Sequence, residues 1–121
     1  MTILDLAIQY NNLQKNMGIL EKSSWTQNIE SLLDEDFQKI INGQITVSNR
    51  EALTNQIINL RESSGPWAIT EKEIIPSACG QKCTLRYVIS TEKVGSFDIL
   101  AVLTSKNGRT INRIDEIFYQ M

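Results

Sequence analysis

The stretch FDILAVLTSKNGRTINRIDEIFYQ, residues 97–120, decides the fold. Phe97, Ile99, Ala101 and Leu103 place apolar side chains at every second position, which is the spacing of a strand. Between them stand Asp98, Leu100, Val102 and Thr104, a set more apolar than a face left in water requires. Such a strand is expected to be covered on both faces, by helices on one and by a second subunit on the other. Asn107-Gly108 reads as a two-residue hairpin turn that delivers a closing strand through Gln120. Within it, INRIDEIF (111–118) breaks strict alternation, which predicts a bulge that turns Asp115 inward.

Working upstream, KCTLRYVIST (82–91) has Cys83, Leu85, Tyr87 and Ile89 on one side, and residues 67–75 make another strand ended by Pro76. Before residue 65 the period becomes helical. Ile3, Leu6, Tyr10, Leu13, Met17 and Leu20 form one stripe on a helix over 3–20, capped by Thr2 and Asp5. Ser24 and Gln27 have capping-box spacing and open a second helix running to about Asp34, with Trp25, Ile29, Leu32 and Leu33 on one side. FQKIINGQITV (37–47) gives two short β-prone runs around Asn42-Gly43. Ser48 and Glu51 then start a third helix, REALTNQIINLRESS (50–64), with Leu53, Ile57 and Leu60 inward and Gly65-Pro66 as its stop. Helices followed by an antiparallel meander define an α+β chain, one domain over residues 1–121.

The net charge of −2, with scattered Lys and Arg, gives no reason to expect nucleic acid or an anionic membrane as partner. No run approaches the ~18–20 apolar residues of a membrane span, and the N-terminus lacks the features of a signal peptide, so a cytoplasmic protein is expected. Cys79 and Cys83 are spaced C-x3-C in a chain without histidine, which cannot complete a zinc site. Reduced thiols are expected, Cys83 in a strand and Cys79 near a loop, with a strained local disulfide as the alternative and with no metal and no cofactor.

The order of elements and three local stretches, IESLLDEDFQKIINGQITVSNREAL (29–53), GPWAIT (65–70) and FDILAVLTSKNGRTINRIDEIFYQ (97–120), resemble the nuclear transport factor 2-like superfamily, in particular its SnoaL-like branch. IESLLDEDFQKIINGQITVSNREAL (29–53) looks like the family's acidic end of helix two, short hairpin and entry to helix three. GPWAIT (65–70) falls where the third helix gives way to the first long strand, and residues 97–120 look like the terminal hairpin. The resemblance implies a cystatin-like cone: three N-terminal helices packed on a curved antiparallel sheet, a cavity open at one end, and a homodimer through the opposite sheet face. Family enzymes include ketosteroid isomerases, which use an aspartate base with a tyrosine and a protonated aspartate as donors. Carried over, Tyr10 falls near the tyrosine, but the base position lands near Ile41 and the second aspartate near Ala101. Both acids are missing, which disfavours that chemistry.

Without histidine, only Asp or Glu could supply the usual base near neutral pH. Asp34, Glu35 and Asp36 read as a solvated acidic helix end, and Asp98 as an outward residue pairing with Arg86 or Lys82. Tyr10 and Asp115 remain as catalytic candidates. Tyr10, Trp25, Trp67, Tyr87, Ala101 and Phe118 are the candidate pocket residues, an apolar lining with few polar fixtures. The function expected is binding of a small apolar ligand. The alternatives are an isomerase, cyclase or hydrolase using a buried carboxylate, and a dimeric interaction module whose cavity is filled by its own side chains.

Overall fold

Thr2 opens the first helix with a complete capping box. Its hydroxyl accepts from the Asp5 N–H at 3.2 Å, and the Asp5 carboxylate accepts from the Thr2 N–H at 2.9 Å. The computed structural model describes residues 2–121. Helix α1 spans Ile3–Ile19 and α2 spans Thr26–Leu32, after a single 3-10 turn at Lys22–Ser24. Strands β1 (Leu33–Ile41) and β2 (Gln44–Val47) precede helix α3 (Arg50–Ser64). The chain closes with β3 (Trp67–Pro76), β4 (Lys82–Thr91), β5 (Ser96–Thr104) and β6 (Ile111–Gln120).

All the strands join one sheet in the order β2-β1-β6-β5-β4-β3. Neighbours run antiparallel except β1 and β6, which are parallel, so the closing strand lies between the meander and the early hairpin. Register shifts interrupt β3 between Glu71 and Glu73 and β1 between Lys39 and Ile40. Such irregularities bend a sheet, and here they wrap its inner face around the helices.

Several boundaries differ from the expectation. The second helix stops at Leu32, and Leu33 is already extended (φ −109°, ψ 143°), so Asp34, Glu35 and Asp36 lie on β1 rather than at a helix end. The Ser24–Gln27 box is not formed, and α2 begins after Trp25 with no side-chain cap. Helix α3 is capped by Asn49, whose side chain accepts from the Ala52 N–H at 2.8 Å, one residue later than Ser48. The Asn42-Gly43 turn forms as expected, both residues having positive φ (50° and 83°), as a primed hairpin turn requires. By contrast, Asn107-Gly108 sits inside a longer connection over residues 105–110. There the Asn107 side-chain carbonyl accepts from the Arg109 and Thr110 N–H groups, and the Ser105 hydroxyl accepts from the Gly108 N–H. Side chains thereby satisfy a wider loop than the dipeptide alone suggests.

The α1 stripe from Ile3 to Met17 is buried against the inner sheet face, where Leu85, Ile99, Leu103 and Ile114 complete the core. Leu20 and Leu60, expected inward, are 40% and 41% exposed: Leu20 lies just past the end of α1, and Leu60 faces a cavity rather than packed side chains. Neither α1 nor α2 has a basic residue in its last turn. Two arginines of α3 meet those helix ends instead. Arg61 donates to the carbonyls of Met17 (2.8 Å) and Leu20 (2.9 Å), and Arg50 to those of Glu30 (3.1 Å) and Leu33 (3.2 Å). Asp98 pairs with Arg86 at 2.9 Å on the outer face, and Cys79 and Cys83 are both free, in a loop and on β4 respectively. No helix among the described residues is long and apolar enough to cross a membrane.

Candidate functional site

A cavity of about 190 Å³ lies between α1, α3 and the inner sheet face. Leu53 and Ile57 of α3, with Trp67, Ile99 and Phe118 of the sheet, give it an apolar wall. Ser63, Ser64 and Thr91 are polar lining residues at the ends of α3 and β4, and a second polar group includes the ionisable side chains. Tyr10 and Gln14 reach it from α1, one turn apart, while Lys39, Tyr87 and Glu116 reach it from β1, β4 and β6.

Strand β6 pairs with β5 in uninterrupted register from Phe97↔Gln120 to Thr104↔Arg113. No bulge therefore falls between Arg113 and Phe118, and plain alternation points Ile114, Glu116 and Phe118 inward. Asp115 points the other way. It is held by Arg113 at 2.8 Å, and that hydrogen bond, foremost, keeps its carboxyl below the usual aspartate range. The acidic residue inside the cone is Glu116, only 3% exposed. Its partners in register are Ala101 on β5 and Ile41 on β1. An acidic residue thus stands on the strand between Ile41 and Ala101.

The Tyr87 hydroxyl lies 2.7 Å from Glu116 Oε2 and 3.0 Å from Gln14 Oε1. A phenol has one proton, and the shorter, charge-assisted contact takes it. Lys39 Nζ lies 3.5 Å from Glu116 Oε1 and donates to Gln56 Oε1 at 3.3 Å. The lysine balances the buried charge, but Glu116 Oε1 itself receives no hydrogen bond. Trp67 Nε1 donates to the Gln14 carbonyl at 3.0 Å, which fixes the indole against α1.

Burial, and after it the charge of Glu116, hold the Tyr10 and Tyr87 hydroxyls well above the ordinary phenol pKa, so both keep their protons throughout the neutral range. This sets an alkaline limit to stability. Above about pH 10 the unfolded chain releases these protons while the folded one retains them, so stability falls as pH rises, by about 1.4 kcal/mol per pH unit for each tyrosine. Urea unfolding of wild type and Tyr87→Phe between about pH 9 and pH 11 should show the variant losing one tyrosine's share of that slope. Identical slopes would contradict the assignment.

Of the residues expected in a pocket, Tyr10, Trp67, Tyr87 and Phe118 line this cavity. Trp25 does not; it is buried at the start of α2, its indole N–H without a partner. Ala101 does not line it either, since its short side chain lies wholly in the core beside Glu116. Asp34 accepts from the Thr110 hydroxyl, while Glu35 and Asp36 are exposed on β1. Sequence reasoning missed Glu116, Lys39 and Gln14. Alternation carried across the terminal hairpin from Ala101 marks Glu116, and the four-residue spacing from Tyr10 marks Gln14.

No protein-family model matches the chain, and no curated protein is significantly similar to it. Solved structures are. An NTF2-like protein of unknown function from an Exiguobacterium species superposes with TM-score 0.79 at 12% identity, covering 96% of this chain and 99% of that one. An NTF2-like protein from Anabaena variabilis gives 0.78 at 13% identity, covering 98% and 90%. A SnoaL-like polyketide cyclase from Agrobacterium tumefaciens gives 0.73 at 8% identity, covering 98% and 92%. The chain has the NTF2-like fold, as its sequence resemblance implied.

Proposed function

We propose that this protein binds a small, mainly apolar molecule inside the cone, with the molecule's polar end at Glu116. The observation that carries the reading is Glu116 Oε1, a buried acceptor without a hydrogen bond at a mainly apolar cavity. A few convergent polar groups on an apolar wall are the usual makeup of a small-molecule site. Leu60 lies at the rim and is 41% exposed, so a larger side chain there can close the mouth without entering the core. 4-Ethylphenol should raise the melting temperature of wild type, and Leu60→Trp should fold normally and lose that response. An equal response in both would argue against the cavity as the site.

A second reading is favoured by the same carboxylate. Glu116 could take a proton from a bound carbonyl compound, with Tyr10 as donor, giving the isomerase or cyclase type of chemistry. The Agrobacterium protein similar in fold is described as a SnoaL-like polyketide cyclase. Deuterium uptake at the α-carbon of cyclohexanone, faster with wild type than with Glu116→Gln, would support it; equal rates would remove it. On the outer sheet face, Leu100, Ile117 and Tyr119 are 44%, 61% and 72% exposed on adjacent strands, which supports pairing with a second copy of the chain. Light scattering at micromolar concentration should then give twice the chain mass, and a monomer would count against it.

A further inference from the structure

We infer that the ligand is a neutral, single-ring compound carrying a hydrogen-bond donor, a hydroxyl or an amide N–H, that seats on Glu116 Oε1. The inference rests on the proposal that the cavity is the ligand site and narrows it to a chemical class.

The donor requirement follows from what each polar atom already does. Tyr87 gives its proton to Glu116 Oε2 at 2.7 Å, which leaves that oxygen satisfied. Lys39 sits 3.5 Å from Oε1 and directs a proton to Gln56 Oε1 at 3.3 Å. Oε1 is a buried carboxylate oxygen that faces the Lys39 charge but receives no hydrogen bond. An unmet buried acceptor costs free energy that a bound donor recovers. A ligand that only accepts leaves Oε1 as it was.

Neutrality follows from the pair. Lys39 and Glu116, with side chains 8% and 2% exposed, already cancel each other's charge. A cationic amine would compete with Lys39 beside it, and an anion would crowd Glu116. Size follows from the volume. An apolar cavity of ~150 Å³ takes one benzene ring. About 190 Å³ therefore holds a ring and a short substituent. Trp67, Phe97 and Phe118 offer aromatic surface to such a ring, and the last two pack with centroids 6.0 Å apart.

The test compares two isomers, 4-ethylphenol and 4-methylanisole, whose atoms and apolar area match and which differ in whether the oxygen can donate. Titration calorimetry on the wild-type protein near neutral pH should show the ether binding at least about tenfold more weakly, the size of one hydrogen bond to a charged group. In Glu116→Gln the side chain has an N–H₂ to offer an ether oxygen, and the preference should vanish. Equal binding of the isomers to wild type would overturn the donor requirement and leave the cavity reading intact. A preference that persists in Glu116→Gln would overturn the assignment to Oε1. Binding of neither isomer would overturn the cavity reading and this inference together. If Glu116→Gln fails to fold, the wild-type comparison decides alone.

Discussion

Gly18→Ala should destabilise the protein by at least about 2 kcal/mol, even though alanine gains ~1 kcal/mol over glycine in a helix interior. Gly18 lies in the last turn of α1, where that helix crosses the start of β3. A Cβ there would stand 2.4 Å from Trp67 Cδ1, 2.5 Å from the Trp67 carbonyl oxygen and 2.6 Å from Trp67 Nε1. Because one of these atoms is backbone, rotating the indole cannot relieve the clash. The helix must lift off the sheet, and the Trp67 hydrogen bond to the Gln14 carbonyl goes with it. Trp67 is also a cavity wall, so the variant should bind 4-ethylphenol less well. Chemical denaturation measures the first effect. A stability within about 0.5 kcal/mol of wild type would show that helix and strand do not approach this closely.

The second large effect concerns the buried pair. Glu116→Leu alone should cost about 3–5 kcal/mol, because it leaves the Lys39 charge buried and uncompensated. Adding Lys39→Met should recover that loss and bring stability to the wild-type level or above it. The pair is a poor one to begin with. Its separation is 3.5 Å and Glu116 Oε1 lacks a hydrogen bond, so Coulomb attraction offsets desolvation incompletely. Removing both charges strands no other group. The Tyr87 hydroxyl has Gln14 Oε1 at 3.0 Å as an alternative acceptor, and Gln56, half-buried, can turn to water. The double variant should therefore be stable and unable to favour a hydroxyl-bearing ligand. That combination separates a functional carboxylate from a structural one. A double variant as unstable as Glu116→Leu would mean that the pair holds the fold together.

How much of this the sequence discloses depends on the range of the interaction. Element order was legible because apolar spacing is local: the Ile3–Met17 stripe and the alternation of residues 97–103 each report a face directly. The Asn42-Gly43 turn was legible for the same reason, since its φ values are a property of two residues. The site was only half legible. Tyr10, Trp67, Tyr87 and Phe118 announce themselves as inward aromatics, yet Glu116 was passed over for its neighbour. A charged residue at a core parity looks like a broken pattern until its partners are known. Those partners, Lys39 and Tyr87, come from β1 and β4 and meet Glu116 only when the sheet forms. The loop at 105–110 shows the same limit on a smaller scale. A two-residue turn at Asn107-Gly108 would pair Ala101 with Ile114, whereas the wider loop pairs it with Glu116.

The central claim, that the space beside Glu116 is where a ligand sits, is tested most directly by intermolecular nuclear Overhauser effects from bound 4-ethylphenol. The ring protons should show contacts to Leu53, Trp67 and Phe118 inside the cone, with the hydroxyl end toward Tyr87. Contacts confined to Leu100, Ile117 and Tyr119 on the outer sheet face would contradict the account.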